Sequence, residues 1–236
     1  MSAEAYDLSV VVLCYRAGGS IHDVLQPLRR LLDESNVRYE LVLVANEWHG
    51  RGDDTREHVR SYEGDGVRIL DLPKEGGMGW DLRSGLNAAT GSTIVAIDGD
   101  AQNPVEDVLR MYRLLRESGA DVGKGVRTNR ADGLYRAVIS GGFNVLFRLL
   151  FGTWSLWDIN GKPKGLTREA YEQMTLTSDD WFIDAELVLA ARRTGLRIVE
   201  LPVVFLENPQ RASFVRVSSI WEFLVHMVRY RLRGRA

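Results

Sequence analysis

The chain has 236 residues, of which 45% are apolar, and its formal net charge at pH 7 is −2. This length suffices for one domain with a sizeable core, and the near-neutral charge gives no support for nucleic-acid binding. A single cysteine, Cys14, excludes an intrachain disulfide and favours a reducing compartment. Because neither a signal peptide nor an apolar run of ~20 residues is present, we expect a soluble or peripheral cytoplasmic protein.

Strands and helices alternate through the first hundred residues. Short, valine-rich runs predict strands buried on both faces at 8–13, 39–45, 67–72 and 93–97. Apolar residues at helical spacing predict helices between them, at 21–32, 53–61 and 79–90. This alternation predicts right-handed βαβ units and a parallel sheet that binds ligands beyond the carboxyl ends of its strands.

The second half has a less regular pattern. The predicted elements are a strand at 121–127, a long apolar helix at 134–151, a glycine-rich turn at 158–166, a helix at 181–194 and a strand at 197–205. Pro202 cannot donate a hydrogen bond to a neighbouring strand, so the last strand is predicted at an edge or a bend. No repeat or low-complexity linker interrupts the chain. We therefore predict one domain over residues 1–210 and a basic, amphipathic helical segment over 211–236.

The fourth predicted strand ends in two carboxylates, Asp98 and Asp100, followed by the amide of Gln102 and by Pro104. Carboxylates are costly to bury unless a positive group meets them, and a divalent cation with oxygen ligands is one such group. The alternative is that both carboxylates cap the helix that begins near Val105. We favour the metal, because the motif follows so apolar a strand.

Six motifs occur in a fixed order between Leu8 and Phe205. They are Val10–Tyr15, Gly76–Gly79 with Arg83, Asp98–Pro104, Gly125–Arg127, Trp181–Leu187 and Glu200–Val203. In this order and spacing the chain resembles family 2 glycosyltransferases of the GT-A type, in particular the branch that glycosylates polyprenyl phosphates. The resemblance implies an α/β, Rossmann-like sandwich with a mostly parallel central sheet and a C-terminal amphipathic helix.

The resemblance also implies a nucleotide-diphosphate sugar donor whose diphosphate is bridged to the protein by Mg²⁺ or Mn²⁺. The metal site would comprise Asp98, Asp100 and Gln102, with Asp98 facing the donor's ribose or sugar. The nucleotide-sugar would contact Leu13, Cys14, Tyr15, Asn46, Gly79, Arg83, Asp98 and Gly99. Where the family has paired aspartates after the second strand, this chain has Asn46, which can both donate and accept hydrogen bonds, so base recognition is predicted to be rearranged.

A second constellation is basic. In a helix, Arg136 and Ser140 are four residues apart and share a face, and Arg127 lies one loop earlier. Two guanidinium groups and a hydroxyl suit a phosphate, and in the polyprenyl-phosphate branch the matching residues hold the acceptor phosphate. The alternative is that Arg127, Arg130 and Arg136 are surface arginines paired with Asp121 and Asp132.

Three further features bear on the predicted site. In relatives with hydroxyl acceptors an acid near Asp184 acts as general base, but Asp184 could instead orient Arg127 or begin a helix. Lys162 lies in a loop that resembles the family's loop beneath the acceptor site and could reach a phosphate. Nearby tryptophans either stack on a sugar or isoprenoid or pack in the core; they are Trp154, Trp157 and Trp181.

Residues 219–233 place apolar side chains on one helical side and a polar stripe on the other. This pattern is typical of a helix in a membrane interface, and equally of a helix packed on the core or in a homodimer.

Taken together, these features predict an inverting, metal-dependent transferase that moves a sugar to a polyprenyl phosphate at the cytoplasmic membrane face, with Asp100, Arg127, Arg136 and Asp184 as its catalytic residues. One alternative is a soluble hydroxyl acceptor with Asp184 as base. Another is a non-catalytic nucleotide-sugar-binding or membrane-docked protein.

Overall fold

Seven strands form one sheet in the order β3-β2-β1-β4-β6-β5-β7. The computed structural model describes residues 6–48, 50, 52–130, 134–206 and 225–232, with side chains except at 129–130 and 134–140. The strands are β1 Leu8–Leu13, β2 Tyr39–Val44, β3 Val67–Leu70, β4 Thr93–Asp98, β5 Val122–Arg130, β6 Lys164–Thr167 and β7 Ile198–Phe205. Strand β6 is antiparallel to β4 and β5, and the other pairs are parallel. The prediction of a mostly parallel sheet is confirmed.

Helices cover both faces of the sheet. They are α1 His22–Asp33, α2 Thr55–Arg60, α3 Met78–Ala88, α4 Glu106–Ser118, α5 Leu134–Phe151, α6 Arg168–Gln173 and α7 Ile183–Arg193. One face of β1 and β2 packs its aliphatic side chains with α1 and α4. The opposite face packs with α3 and α7. Because both faces are covered, β1 is buried along its whole length, as its unbroken apolar run predicts.

Two elements were not predicted. The segment 158–166 was expected to be only a turn, but its end forms β6, and α6 follows directly. Alternation of lysine and glycine hides this strand, because neither residue is typical of a buried strand. The prediction for Pro202 is confirmed, since β7 is the outermost strand and pairs with β5.

Glycine and lysine alternate in β5 and β6 for a packing reason. Gly123 and Gly165 are register partners on the face that meets α4, and a Cβ at Gly165 would lie 2.6 Å from Met111 Cγ. Side chains of successive strand residues point to opposite faces, so Lys124 and Lys164, which are also register partners, share the other face. Close helix packing on one side thus accompanies two buried ammonium groups on the other.

The C-terminal segment packs on the core through residues 225–232, which are helical. Met227 is buried against α5 and α7, and His226 Nδ1 lies 2.8 Å from Asp180 Oδ2. Val228 and Leu232, which belong to the predicted apolar face, are exposed instead. The predicted boundary at 210/211 lies outside the described residues. Within the described part of the chain, no helix is long and apolar enough to cross a membrane.

Candidate functional site

Strand register brings three predicted site segments to one edge of the sheet. Leu13, the last residue of β1, is paired with Val44 of β2 and with Asp98 of β4. The N–H of Gly99 donates to the carbonyl of Leu13 at 2.9 Å. A Cβ at position 99 would lie 2.9 Å from that same oxygen, so the close approach requires glycine. The segments that follow β1, β2 and β4 therefore adjoin, as the parallel sheet predicts.

Asp98, Asp100 and Gln102 form what we call the acidic edge. The Asp98 side chain is 33% exposed, and Asp100 Oδ1 accepts the N–H of Gln102 at 3.1 Å across a turn in which Ala101 has φ +57°. Helix α4 begins further on, and Val105 at its N-cap provides no side-chain cap. The capping interpretation of the two aspartates is therefore wrong.

The donor set of the acidic edge fits a magnesium-type cation. Two carboxylates and an amide oxygen are the hard ligands that Mg²⁺ and Mn²⁺ take in proteins, and all three residues are partly exposed. The described residues contain no group of three His, Cys, Asp or Glu side chains arranged for a metal ion. A cation at this edge would therefore need further oxygen ligands from a diphosphate or from water.

Lys162 extends its ammonium group to the acidic edge. The Nζ atom lies 3.6 Å from Asp98 Oδ1 and 3.5 Å from Asp184 Oδ1, and the side chain is only 4% exposed. Burial opposes the charged form, but Asp184 and Asp98 outweigh it and raise the pKa of Lys162. Two carboxylates thus hold the ammonium group of Lys162, and its contact with an acceptor phosphate stays a prediction.

Two more buried lysines lie beside Lys162. Lys164 Nζ donates to the carbonyl of Ile159 at 2.5 Å and lies 3.7 Å from Asp184 Oδ1. Burial lowers the pKa of Lys164 to about 8, and Asp184 opposes that shift. Lys124 Nζ lies 2.8 Å from Glu200 Oε1, and burial lowers its pKa as well. We call Lys124, Lys162 and Lys164 the lysine cluster.

Asp184 is the carboxylate that Lys162 and Lys164 share. It lies in the first turn of α7 and is buried. It does not orient Arg127, which pairs with Asp158 instead. The neighbouring acid Glu186 has a structural part, since its Oε2 accepts the N–H groups of Thr177 and Ser178 at 2.9 and 2.8 Å.

Arg127 is held by the loop that precedes Lys162. Its Nε and Nη2 donate to the two oxygens of Asp158, each at 2.6 Å. Among the described side chains Arg127 pairs with Asp158 and not with Asp121, whose Oδ2 accepts the N–H of Arg197 at 2.7 Å. Arg136 lies in α5 together with Ser140, in the part of that helix whose side chains are not described, and Asp132 lies outside the described residues.

Asn46, which stands where the family has paired aspartates after the second strand, contacts a buried ion pair. Asn46 Nδ2 donates to Asp81 Oδ1 at 3.0 Å, and its Oδ1 accepts the N–H of Leu72 at 2.9 Å. Asp81 pairs with Lys74, whose ammonium lies 4.2 Å from the ring centre of Tyr15. Asn46 therefore links the end of β2 to Leu72 and Asp81, and its part in recognising a nucleobase stays a prediction.

The remaining residues that were predicted to contact the nucleotide-sugar make contacts within the protein. Gly79 packs against the carbonyls of Ser178 and Asp180, where a Cβ would clash. Arg83 pairs with Asp179. Cys14 is fully buried, and its Sγ contacts the carbonyl of Val12 at 3.3 Å. These three residues hold the loops of the edge in place.

The tryptophans of the second half are more exposed than core packing predicts. Trp154 and Trp157 expose more than half of their surface, and Trp181 exposes about a third. The guanidinium of Arg148 lies 3.6 Å from the ring centre of Trp157.

Sequence reasoning missed Lys74, Lys124 and Lys164, although one signal was present. The chain has only four lysines among thirty basic residues, and all four are buried: Lys74, Lys124, Lys162 and Lys164. A chain that places arginine on its surface and lysine inside uses its lysines for specific contacts.

Solved structures with this fold are glycosyltransferases of the GT-A class. Glucosyl-3-phosphoglycerate synthase from Mycobacterium tuberculosis, in complex with Mn²⁺, UDP and glucosyl-3-phosphoglycerate, superposes with a TM-score of 0.73 at 17% identity, over 96% of this chain and 80% of that one. The same enzyme with Mg²⁺ and UDP gives a TM-score of 0.70 at 16% identity, over 96% and 79%. The GT-A fold predicted from the sequence is confirmed.

The chain belongs to glycosyltransferase family 2, because the model described as "Glycosyl transferase family 2" matches residues 9–175. Dodecaprenyl-phosphate galacturonate synthase of Rhizobium johnstonii is 30% identical over 135 residues, which are 56% of this chain and 39% of that protein. Undecaprenyl-phosphate 4-deoxy-4-formamido-L-arabinose transferase of Klebsiella pneumoniae is 25% identical over 224 residues, 92% and 66% of the two chains. The matches thus span about 39 to 66% of these relatives' lengths.

Proposed function

We propose that this chain transfers a sugar, with inversion, from a nucleotide diphosphate to a polyprenyl phosphate. The observation that carries the proposal is the acidic edge, which lies next to the ends of β1 and β2 in a family 2 chain. Two of its relatives are named as enzymes that act on dodecaprenyl and undecaprenyl phosphates.

On the donor side, Asp100 and Gln102 would hold Mg²⁺ or Mn²⁺ together with the diphosphate. Bound there, the cation would neutralise the charge that develops on the departing nucleoside diphosphate. Asp98 would accept a hydrogen bond from the donor's ribose or sugar through the oxygen that does not face Lys162. The nucleotide would lie along Leu13, Tyr15 and Gly99.

On the acceptor side, Arg127, Arg136 and Ser140 would hold the acceptor phosphate. A phosphate is ionised near neutral pH, so it needs no general base to become a nucleophile. The protein's contribution would be to position one phosphate oxygen in line with the anomeric carbon.

The burial of Asp184 favours this acceptor over a hydroxyl group. A general base must lie within reach of the acceptor's proton, whereas Asp184 is buried and its Oδ1 lies 3.5 and 3.7 Å from the Nζ atoms of Lys162 and Lys164. That oxygen therefore faces two lysines of the protein rather than an acceptor. We therefore place Asp184 beneath the site, as the residue that holds Lys162 and Lys164.

Peripheral contact with a membrane is the third part of the proposal. Exposed apolar side chains occur at the end of α5 and just after it, at Leu149, Trp154 and Trp157. The adjoining C-terminal segment, whose Tyr230 ring contacts that of Phe151, adds Val228 and Leu232. Exposed aromatic and aliphatic groups of this kind suit the surface where a polyprenyl phosphate presents its head group.

The test is transfer from a panel of nucleotide sugars, with Mn²⁺ or Mg²⁺, to a short-chain polyprenyl phosphate and to soluble sugars. We expect transfer to the polyprenyl phosphate alone, and at least a 100-fold loss in Asp100→Asn with little change in melting temperature. Transfer to a soluble sugar would favour the hydroxyl-acceptor alternative. Tight, metal-dependent donor binding without transfer would favour a non-catalytic protein.

A further inference from the structure

The ammonium of Lys162 lies where its charge would repel a metal ion at the acidic edge. This buried ammonium lies 3.6 Å from Asp98 Oδ1, at one end of the acidic edge. The main chain around it is fixed, since the Lys162 carbonyl accepts a hydrogen bond from Asn103 Nδ2 at 3.0 Å. Gly125 packs against the same peptide so closely that a Cβ there would overlap it. The backbone from which the buried side chain extends is therefore held in place.

We propose that Lys162 keeps a divalent cation from binding at the acidic edge until a nucleotide diphosphate binds with it. The inference rests on the metal site of the proposed function and adds an order of binding to it. Lys162 then acts as a positioning residue that controls when the metal enters, and the diphosphate is the group that permits entry.

The charges at the edge explain this order. Asp98 and Asp100 bring two carboxylates to the edge, and the ammonium of Lys162 lies 3.6 Å from one of them, at Asp98 Oδ1. A cation held by Asp100 beside Asp98 would have that ammonium as a neighbouring positive charge, and like charges within several ångströms repel substantially even at an effective dielectric constant of about 20. A diphosphate brings at least two further negative charges and oxygen ligands, which together outweigh the repulsion.

Asp184 keeps the lysine from being displaced. It lies 3.5 Å from Lys162 Nζ, so a group that engages Asp98 does not free the ammonium to move into solvent. Met78 Sδ, 3.8 Å from Nζ, closes a third side. A lysine on the surface would swing away at little cost, whereas this one stays in place.

The experiment measures Mn²⁺ binding alone, by calorimetry or by electron paramagnetic resonance, in the wild type and in Lys162→Met. The methionine keeps the length of the side chain and removes the charge. Because Asp184 retains Lys164 and Asp98 is one-third exposed, we expect the variant to fold. Its affinity for Mn²⁺ alone should rise about tenfold. Lys162→Gln, which is smaller and polar, should give the same direction.

Lys164→Met is the matched control. It removes an ammonium two residues away that pairs with Asp184 rather than with Asp98, so its affinity for Mn²⁺ alone should stay within about twofold of the wild type. Adding a nucleoside diphosphate, from a panel that includes UDP and GDP, should tighten Mn²⁺ binding far more in the wild type than in Lys162→Met. That difference is the signature of a metal that enters with the diphosphate.

The outcomes separate this inference from the proposed function. Unchanged Mn²⁺ affinity in both Lys162 variants, with affinity lost in Asp100→Asn, overturns the part given to Lys162 and leaves the metal site intact. Mn²⁺ binding that Asp100→Asn does not weaken, in the presence of a nucleoside diphosphate, overturns the metal site and the inference with it. A rise of similar size in Lys164→Met also contradicts the inference, because it shows a general effect of net charge.

Discussion

The two halves of the sheet bury different kinds of side chain. Strands β1, β2 and β4 bury aliphatic residues almost throughout. In β5 and β6 the buried side chains include two ammonium groups, Lys124 and Lys164, and Lys162 lies just before β6. The first half also buries Glu40 and the pair of Lys74 with Asp81, but its strands are mainly aliphatic, whereas β5 and β6 carry buried lysines within the strands themselves.

The difference shows that the second half gives up some stability and holds charged groups in fixed positions. Aliphatic strands contribute about 25 cal/mol for each square ångström removed from water. Buried ions contribute little or nothing net, because desolvation offsets their attraction. Charged groups in a core are therefore retained for what they position, and here they adjoin the acidic edge. The first half supplies the scaffold, and the second half sets the electrostatics of the site.

The largest expected effect comes from removing the carboxylate shared by two lysines. Asp184→Asn leaves Lys162 and Lys164 without their common partner. Breaking a buried pair in this way typically costs about 3–5 kcal/mol, and we expect a loss in that range, measured by denaturant unfolding.

Glu34→Gln is the control for that measurement. It breaks the exposed pair between Arg30 and Glu34 on α1, and its effect should stay below about 1 kcal/mol. Asp184→Asn with a loss as small as the control's would remove the contrast between the two halves, because the lysine cluster would then be neutral or hydrated.

A smaller effect is expected where the loop that carries Lys162 meets β5. A Cβ at Gly161 would overlap the carbonyl of Gly125, so Gly161→Ala should cost about 1–3 kcal/mol, as overpacking does. Gly142→Ala in α5, where a Cβ meets nothing within 4 Å, should instead stabilise by about 0.5–1 kcal/mol. Melting curves of both variants test this. Equal shifts of one sign would mean that the loop is not held rigidly against β5.

The aliphatic half could be predicted from the sequence almost completely. Runs such as Leu8–Leu13 and Thr93–Asp98 indicate strands before their partners are known, because valine and isoleucine favour strands. The alternation also predicted that the segments after β1, β2 and β4 share one edge, and the structure adds the register of Leu13 with Asp98. The motifs that gave the fold and the family came from both halves of the chain.

The charged half could not be predicted in the same way. Lys164 gives no local signal of burial, because lysine is almost always exposed, and its position depends on pairing between β4, β5 and β6. Hydropathy also did not decide which side of the C-terminal segment meets the protein, where His226 and Met227 face inward while Val228 faces out. Partners distant in the chain decide both cases.

The smallest expected effect is a dependence of stability on pH that comes from Lys164. Burial lowers its pKa to about 8 in the folded state, from an ordinary value of 10.5. Between these values the unfolded chain binds more protons, so stability rises with pH, and below about pH 8 the folded protein carries the full cost of the buried charge. The facing groups are Asp184, Asp158, Lys124 and Lys162.

From about pH 7.5 to 9, the wild type should gain about 1 kcal/mol of stability relative to Lys164→Met. Unfolding of the two proteins across that range measures the difference, in which contributions from the unchanged groups largely cancel. A constant difference would show that Lys164 has the same pKa folded and unfolded, and thus that this half of the sheet is more hydrated than its packing indicates.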